Sequence, residues 1–274
     1  MPRLRLGVAL LVPPPAAAEI DGLRRACGDG GLDRVAAHLT LVPPVNVNAV
    51  DLGRALAVLR DAAASVAGPI DAALGPVTTF APDTPVLYLA VGGDEEALAR
   101  LQRLRDNVFR PPLARPLAWP FVPHVTLADE MDADRIAAAT IALADYRTAV
   151  EFARVAVLQE GAPGRVWSPL ADVRLGPPAI VGRGGLPIEL WWSSIADPEV
   201  AAVLAPGHIP PDSADPFVLT ARRGEVILGA ARGWWRDGSV DVVELVVTEA
   251  AGTEDVERQL RLAVAATEES SSPS

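Results

Sequence analysis

The chain has 274 residues and half of them are apolar, enough to bury the core of one large domain or two ordinary ones, so global disorder is excluded. It carries 24 Arg and no Lys against 35 carboxylates, and its net charge of −11 argues against a binder of duplex or long RNA while leaving room for a short anionic substrate gripped by one or two Arg. Cys27 is the one cysteine, which excludes an intrachain disulfide and a cysteine metal cluster.

Residues 4–12 read as a buried strand, rich in Leu and Val and ended by Pro13-Pro14-Pro15. Arg3, Arg5 and Ala16-Ala17-Ala18 imitate a secretory leader around that strand. Its apolar run is short for one and stops at the prolines, so a cytoplasmic protein is expected. No apolar run is long enough to span a bilayer, and no membrane partner is expected. Residues 17–27 have helical periodicity closed by Gly28, which makes Cys27 a half-buried helix residue rather than a reactive thiol. The next strand begins His38-Leu39-Thr40-Leu41 and is expected to stop at Pro43-Pro44. Residues 50–67 form a helix with Leu52, Leu56 and Leu59 on one face and Gly68-Pro69 at its end. Strands over 70–80 and 85–91 follow. Asp94-Glu95-Glu96 then open a helix running to about Phe109, with carboxylates at its positive end.

A strand over 121–128 carries His124-Val125-Thr126-Leu127. A helix over 132–145 precedes a strand pair, 148–159 and 165–175, across Gly161-Ala162-Pro163-Gly164. The order His/Thr strand, helix, strand, strand therefore occurs twice, about 85 residues apart. Such a duplication places the two tetrapeptides on equivalent strands of two similar lobes. Residues 176–187, rich in Gly and Pro, read as a linker. Beyond them come a strand (188–193), a helix (197–204) and a Pro-rich loop holding a solvated His208. Strands over 217–222, 226–235 and 240–247 follow, with Asp237-Gly238 as the last hairpin turn. A helix over 253–267 and a disordered tail, 268–274, end the chain.

Two of the three histidines thus share one pattern. On a strand, residues i and i+2 face the same side, so His38 projects with Thr40 while Leu39 and Leu41 anchor the other face; His124, Thr126, Val125 and Leu127 repeat this. Histidine is the side chain whose ordinary pKa lies nearest neutrality. Two imidazoles and two hydroxyls around one point suit in-line displacement at a phosphate diester. One imidazole takes a proton from the nucleophile, the other gives one to the leaving oxygen, and each transfer supplies about 10²–10⁴-fold. The hydroxyls donate to non-bridging oxygens. No cluster of Asp and Glu surrounds either tetrapeptide at a spacing that suggests a dinuclear metal site.

The paired His-apolar-Thr-apolar strands, the order of elements around them and Pro123 before His124 resemble the 2H phosphoesterase superfamily, in its 2′-5′ RNA ligase-like, cyclic phosphodiesterase branch, over about residues 1–175. The resemblance implies an α+β, bilobed, duplicated fold with two antiparallel sheets around a central cleft. It implies hydrolysis of a 2′,3′-cyclic phosphate, on a small nucleotide or an RNA end, to a 2′-phosphomonoester without metal or other cofactor, and in some members the joining of RNA ends. By position, His38 and Thr40 form one catalytic element and His124 and Thr126 the other, with the acid and base roles open between them. The chain departs from its relatives at Ala128-Asp129-Glu130, where they often carry a basic residue, and this points to a small or terminal phosphodiester. Arg34 and Arg115 are the nearest cations, either phosphate contacts or solvated loop residues. Phe121 and Trp119 either stack a base or pack a hinge.

Residues 188–267 faintly resemble the middle of a GNAT-type acetyltransferase. The turn where such enzymes hold a diphosphate on backbone N–H groups reads Glu249-Ala250-Ala251-Gly252-Thr253-Glu254-Asp255, which disfavours acetyl transfer and suggests a degenerate α/β domain. One indole of each pair, Trp191-Trp192 and Trp234-Trp235, is expected to cover the other lobe or a second subunit, so a homodimer through this segment is an expectation. A catalytically retired lobe that binds a phosphorylated ligand is the rival to the enzyme.

Overall fold

The opening strand, β1 (Arg3–Leu11), is rich in Leu and Val because it lies inside a sheet: Leu6, Val8 and Leu10 are at most 1% exposed. The computed structural model describes residues 2–161, 165–181, 188–193, 195–207, 215–236, 239–251 and 253–270, with the side chains of 181, 215, 235, 236, 239, 253–255 and 266–270 outside the description. His208, the Asp237-Gly238 turn and Gly252 of the acidic turn lie outside the described residues.

Helix α1 (Ala16–Cys27) follows, ended by Gly28 in the left-handed region at φ 77°, where its N–H reaches the Arg24 and Arg25 carbonyls. Strand β2 (His38–Asn48) pairs antiparallel with β1 and runs through Pro43-Pro44 rather than stopping there. Leu6 pairs with Val45 and Val8 with Val42, so the two prolines occupy a bulge opposite Gly7, where the missing N–H groups are tolerated. A 3₁₀ turn, Ala49–Asp51, leads into α2 (Leu52–Ala64), then β3 (Ile70–Thr79), β4 (Leu87–Gly92) and α3 (Glu95–Val108). Asp94 caps α3 by accepting from the Ala97 N–H. The remaining elements of this part are β5 (His124–Ala128), α4 (Ala133–Ala142), β6 (Thr148–Phe152), β7 (Arg154–Glu160) and β8 (Trp167–Arg174).

These strands make one eight-stranded sheet, β6-β3-β4-β5-β2-β1-β7-β8. It consists of two four-stranded halves that meet where Leu39 pairs with Val125, each half presenting its His/Thr strand at the seam. The stretch 148–159 is not one strand, as its apolar content suggests. It breaks at Ala153, and β6 pairs with β3 at one edge while β7 pairs with β1 in the other half. Buried Val150 and Phe152 alternate with exposed Ala149 and Glu151, as in an edge strand covered on one face, whereas Val155, Ala156, Val157 and Leu158 are all buried. The duplicated units thereby exchange strands: β3 and β4, which follow the first His/Thr strand, lie with β5 and β6, and β7 and β8, which follow the second, lie with β1 and β2.

The chain divides into two compact units, Met1–Leu170 with Arg174–Pro177, and Ala171–Val173 with Pro178–Ser274. In the second, β9 (Ala179–Val181), β10 (Ile188–Ser193), β11 (Asp215–Arg223), β12 (Val226–Arg236) and β13 (Ser239–Val247) form a sheet in the order β13-β12-β11-β10-β9. Helices α5 (Pro198–Val203) and α6 (Thr253–Ser270) accompany it. Part of the expected linker is therefore strand: Ala179 pairs with Leu190 and Val181 with Ile188. The backbone of α6 also continues to Ser270, into the expected tail, through residues such as Glu268 and Glu269 that favour helix. Leu190, Phe217, Leu219, Val256 and Leu260 build the core of this unit, with Trp192 edge-on to Phe217 at 5.8 Å. The Trp191 and Trp234 N–H groups donate to Glu189 and Asp241. The whole is an α+β protein with two antiparallel sheets.

Candidate active site

Strands β2 and β5 alternate as their sequences require. Leu39, Leu41, Val125 and Leu127 are at most 1% exposed, and the His and Thr side chains between them are half-buried on the opposite face. The antiparallel register about Leu39 and Val125 sets His38 beside Thr126 and Thr40 beside His124. The four groups therefore gather into a small square on one face at the seam, where the charge of His124 is felt by His38. The register with the flanking strands puts Ala9 beside Thr40 and Ala90 beside His124, while Leu11 stands beside His38 and Tyr88 beside Thr126.

Each imidazole is held in the same way. His38 Nδ1 lies 2.7 Å from the Ala36 carbonyl and His124 Nδ1 2.7 Å from the Val122 carbonyl, in both cases two residues back. A carbonyl only accepts, so Nδ1 carries the proton and Nε2 is left for the ligand, bare as a base or protonated as an acid. Burial holds His38 below its ordinary value of 6.5; the bond to Ala36 opposes this, and the charges of Arg24 and His124 add to it. Burial lowers His124 as well, against its bond to Val122. The repulsion between the rings favours one proton shared by the pair over two.

Arg24, which the sequence does not single out, reaches this site from α1. The residue is 3% exposed, and its guanidinium donates to Asp21 Oδ1 (2.9 Å), Asp29 Oδ2 (2.8 Å) and the Val35 carbonyl (3.0 Å). Asp29 Oδ1 accepts the Gly31 N–H at 2.8 Å. One buried cation thus fixes the loop that delivers Ala36 to His38.

Two hollows flank the square. The one beside His38 holds about 110 Å³ and is walled by Val35, Pro44, Leu158 and Trp167 over Gly7 and Ala9. The one beside His124 holds about 390 Å³ between Phe80, Trp119 and Val122, with Asp83 and Thr84 at its rim. Phe80 stacks on Tyr88 at 4.1 Å and meets His124 edge-on at 5.1 Å; Tyr88 meets it at 5.3 Å. Tyr88 stands opposite Thr126 in the register. Of the residues proposed from sequence as substrate contacts, Arg115 donates to the Pro44 carbonyl at 2.8 Å, at the edge of the first hollow. Arg34 is exposed, and its carbonyl accepts the Trp167 N–H at 2.7 Å. Phe121 lines neither hollow; the Arg105 guanidinium lies 5.2 Å from its ring, where burying a cation's apolar stem favours a ring face over solvent. Sequence reasoning passed over Phe80, Tyr88, Asp83 and Trp167, because only the folded sheet sets β4 beside β5 and lays Trp167, at the start of the edge strand β8, over Gly7 of β1. Among the described residues no group of three or more His, Cys, Asp or Glu is placed to hold a metal ion, and no helix is long and apolar enough to cross a membrane.

The model of the 2′-5′ RNA ligase superfamily matches residues 12–162, more than half of the chain and including both tetrapeptides. The chain belongs to that superfamily. Within the 2′-5′ RNA ligase superfamily its similarities are distant. A Bacillus pumilus (strain SAFR-032) protein named "Putative phosphoesterase" is 29% identical over 131 residues, 48% of this chain and 73% of that protein. E. coli LigT, in a crystal structure complexed with 3′-AMP, is 19% identical, with a TM-score of 0.44 over 64% of this chain and 99% of LigT. TT0787 of Thermus thermophilus is 21% identical, with a TM-score of 0.46 over 62% of this chain and 97% of TT0787.

Proposed function

We propose that the protein is a phosphodiesterase that opens a 2′,3′-cyclic phosphate, on a small nucleotide or an RNA end, to a 2′-phosphomonoester. The observation that carries this is the matched pair of imidazoles, each with Nδ1 committed to a backbone carbonyl and Nε2 without a hydrogen-bond partner among the described residues, beside two Thr hydroxyls on one sheet face. Membership of the superfamily supports phosphoesterase chemistry in general.

In the proposed reaction a water attacks phosphorus while the bare Nε2 of one histidine takes its proton. The P–O3′ bond breaks on the far side, and the other histidine, protonated at Nε2, delivers its proton to the departing O3′. The product keeps the P–O2′ bond, and the two imidazoles end with their protonation states exchanged. Thr40 and Thr126 donate to the non-bridging oxygens, and the imidazolium offsets developing charge, so the scheme needs no metal. The acidic surface, with Asp129 and Glu130 exposed just beyond β5, favours a small or terminal phosphodiester over a long polyanion.

The test is turnover of 2′,3′-cyclic nucleotides, and of short RNAs ending in a cyclic phosphate, in the presence of EDTA. Wild type should release the 2′-phosphomonoester, with His38→Ala and His124→Ala each lower by at least about 10²-fold. Equal turnover in wild type and both variants, strict dependence on added metal, or a 3′-phosphomonoester product would overturn the proposal.

A further inference from the structure

We propose that the hollow beside His124 is a guanine pocket, so that the preferred substrate is a guanosine 2′,3′-cyclic phosphate, free or at an RNA end. This rests on the phosphodiesterase reading above. Because His124 belongs to both the square and the hollow, a nucleoside whose phosphate sits between the histidines has its base directed between Phe80 and Trp119. Trp119 is 67% exposed, an unusual position for an indole, and a stacked base would cover it.

Stacking accepts any base; the rim makes the choice. The turn between β3 and β4 is built before any ligand arrives. Thr79 Oγ1 donates to the Val86 carbonyl (2.8 Å) and accepts the Ala81 N–H (3.0 Å), while the Phe80 N–H reaches Val86 O (3.2 Å) and the Thr84 N–H reaches Phe80 O (3.1 Å). That turn presents Asp83 to the hollow, exposed and without a hydrogen-bond or ion-pair partner among the described residues. A carboxylate only accepts, through two oxygens side by side. Guanine alone among the four bases offers two adjacent donors on one edge, N1–H and the N2 amino group. Adenine and cytosine set one amino group beside a bare ring nitrogen, which the carboxylate repels, and uracil sets one N–H between two carbonyls. A site built to accept from a substrate's donors discriminates strongly against analogues lacking them.

The experiment measures kcat/KM for the four 2′,3′-cyclic nucleotides, and for short RNAs ending in each, with wild type and Asp83→Asn. The amide replaces one acceptor with a donor that meets a guanine donor. The guanosine substrate should be preferred by about tenfold or more, and Asp83→Asn should remove that preference while leaving the other three bases within about twofold. Equal kcat/KM for all four bases in wild type, or an equal loss for all four in Asp83→Asn, would overturn the guanine pocket and leave the phosphodiesterase standing. If wild type turns over none of them, the phosphodiesterase fails. Calorimetric binding of guanosine 2′-monophosphate against adenosine 2′-monophosphate then decides the pocket by itself: a preference lost in Asp83→Asn supports it, and no preference overturns it.

Discussion

Replacing Arg24 with methionine separates the role of α1 in setting the first histidine from the chemistry of the histidine itself. Methionine keeps much of the apolar stem but removes three hydrogen bonds, to Asp21, Asp29 and the Val35 carbonyl. The Asp29 side chain is 6% exposed, so its carboxylate is left buried without its cation, whereas that of Asp21, at 37%, returns to water. Breaking a buried pair by removing one partner costs about 3–5 kcal/mol. Asp29 keeps the Gly31 N–H, which places the cost near the lower end, about 3 kcal/mol. With a urea m-value of about 2–3 kcal/mol/M, the unfolding midpoint should fall by roughly 1 M. The titration of His38 should move as well. Burial is the first cause of its lowered pKa and remains in the variant, but the Arg24 charge that adds to it is gone, and Asp29 is no longer neutralised. Both changes raise the His38 pKa. The chain has three histidines, so the imidazole Cε1–H signals are resolvable by NMR and assignable through His38→Ala and His124→Ala. His38 should titrate at higher pH in the variant and His124 where it did before, with Arg24→Lys lying between because it restores charge without the planar fork. A folded Arg24→Met protein with an unmoved His38 titration, or an unmoved urea midpoint, would refute the reasoning.

The remaining expectations follow from the same geometry. Both histidines titrate below 6.5 in the free protein, so the singly protonated pair is most populated on the acid side of that value: the kcat/KM profile should be bell-shaped with its maximum below about pH 6.5, and a maximum above pH 8 would contradict the lowered pKa values. The same shifts bear on stability. Between the folded and unfolded pKa values the unfolded chain binds more protons, so stability should fall as the pH drops through 6.5, and His38→Asn should flatten that slope in urea midpoints measured from about pH 7.5 to 5. Thr40→Ala and Thr126→Ala should each lower kcat by about 10²-fold if the hydroxyls donate to the transition state, with Ser in place of Thr retaining most of it; equal kcat in Ala and wild type would remove them from the chemistry. Gly75 lies at a bulge of β3 with φ 120°, and a Cβ there would meet the Tyr146 carbonyl at 2.2 Å, so Gly75→Ala should cost at least about 1–3 kcal/mol in thermal unfolding.

Local chemistry is what a sequence specifies most directly, and the site illustrates it. Period-two alternation alone pairs His38 with Thr40 and His124 with Thr126, buries Leu39, Leu41, Val125 and Leu127, and makes the two tetrapeptides equivalent, because side-chain direction on a strand depends only on position along it. Helix ends were equally legible: Asp94 caps α3 through the Ala97 N–H and Gly28 closes α1, since caps act within a few residues of themselves. Proline misled in β2, where the bulge opposite Gly7 was not visible from the sequence.

Strand order was beyond that reach. Which strand pairs with which depends on surfaces brought together from distant parts of the chain, and a strand's own composition does not name its neighbour. The run 148–159 was divided between the two halves of the sheet, and the His strands became neighbours at Leu39 and Val125. The same order brought Phe80 and Tyr88 against His124 and Trp167 over Gly7, and it left Phe121 beside Arg105. The sequence by itself determined the reacting groups and the way each points. Tertiary structure alone decided their mutual placement, the buried Arg24 behind His38, and the two unlike hollows on either side, because pairing and burial are properties of the folded sheet and not of any segment within it.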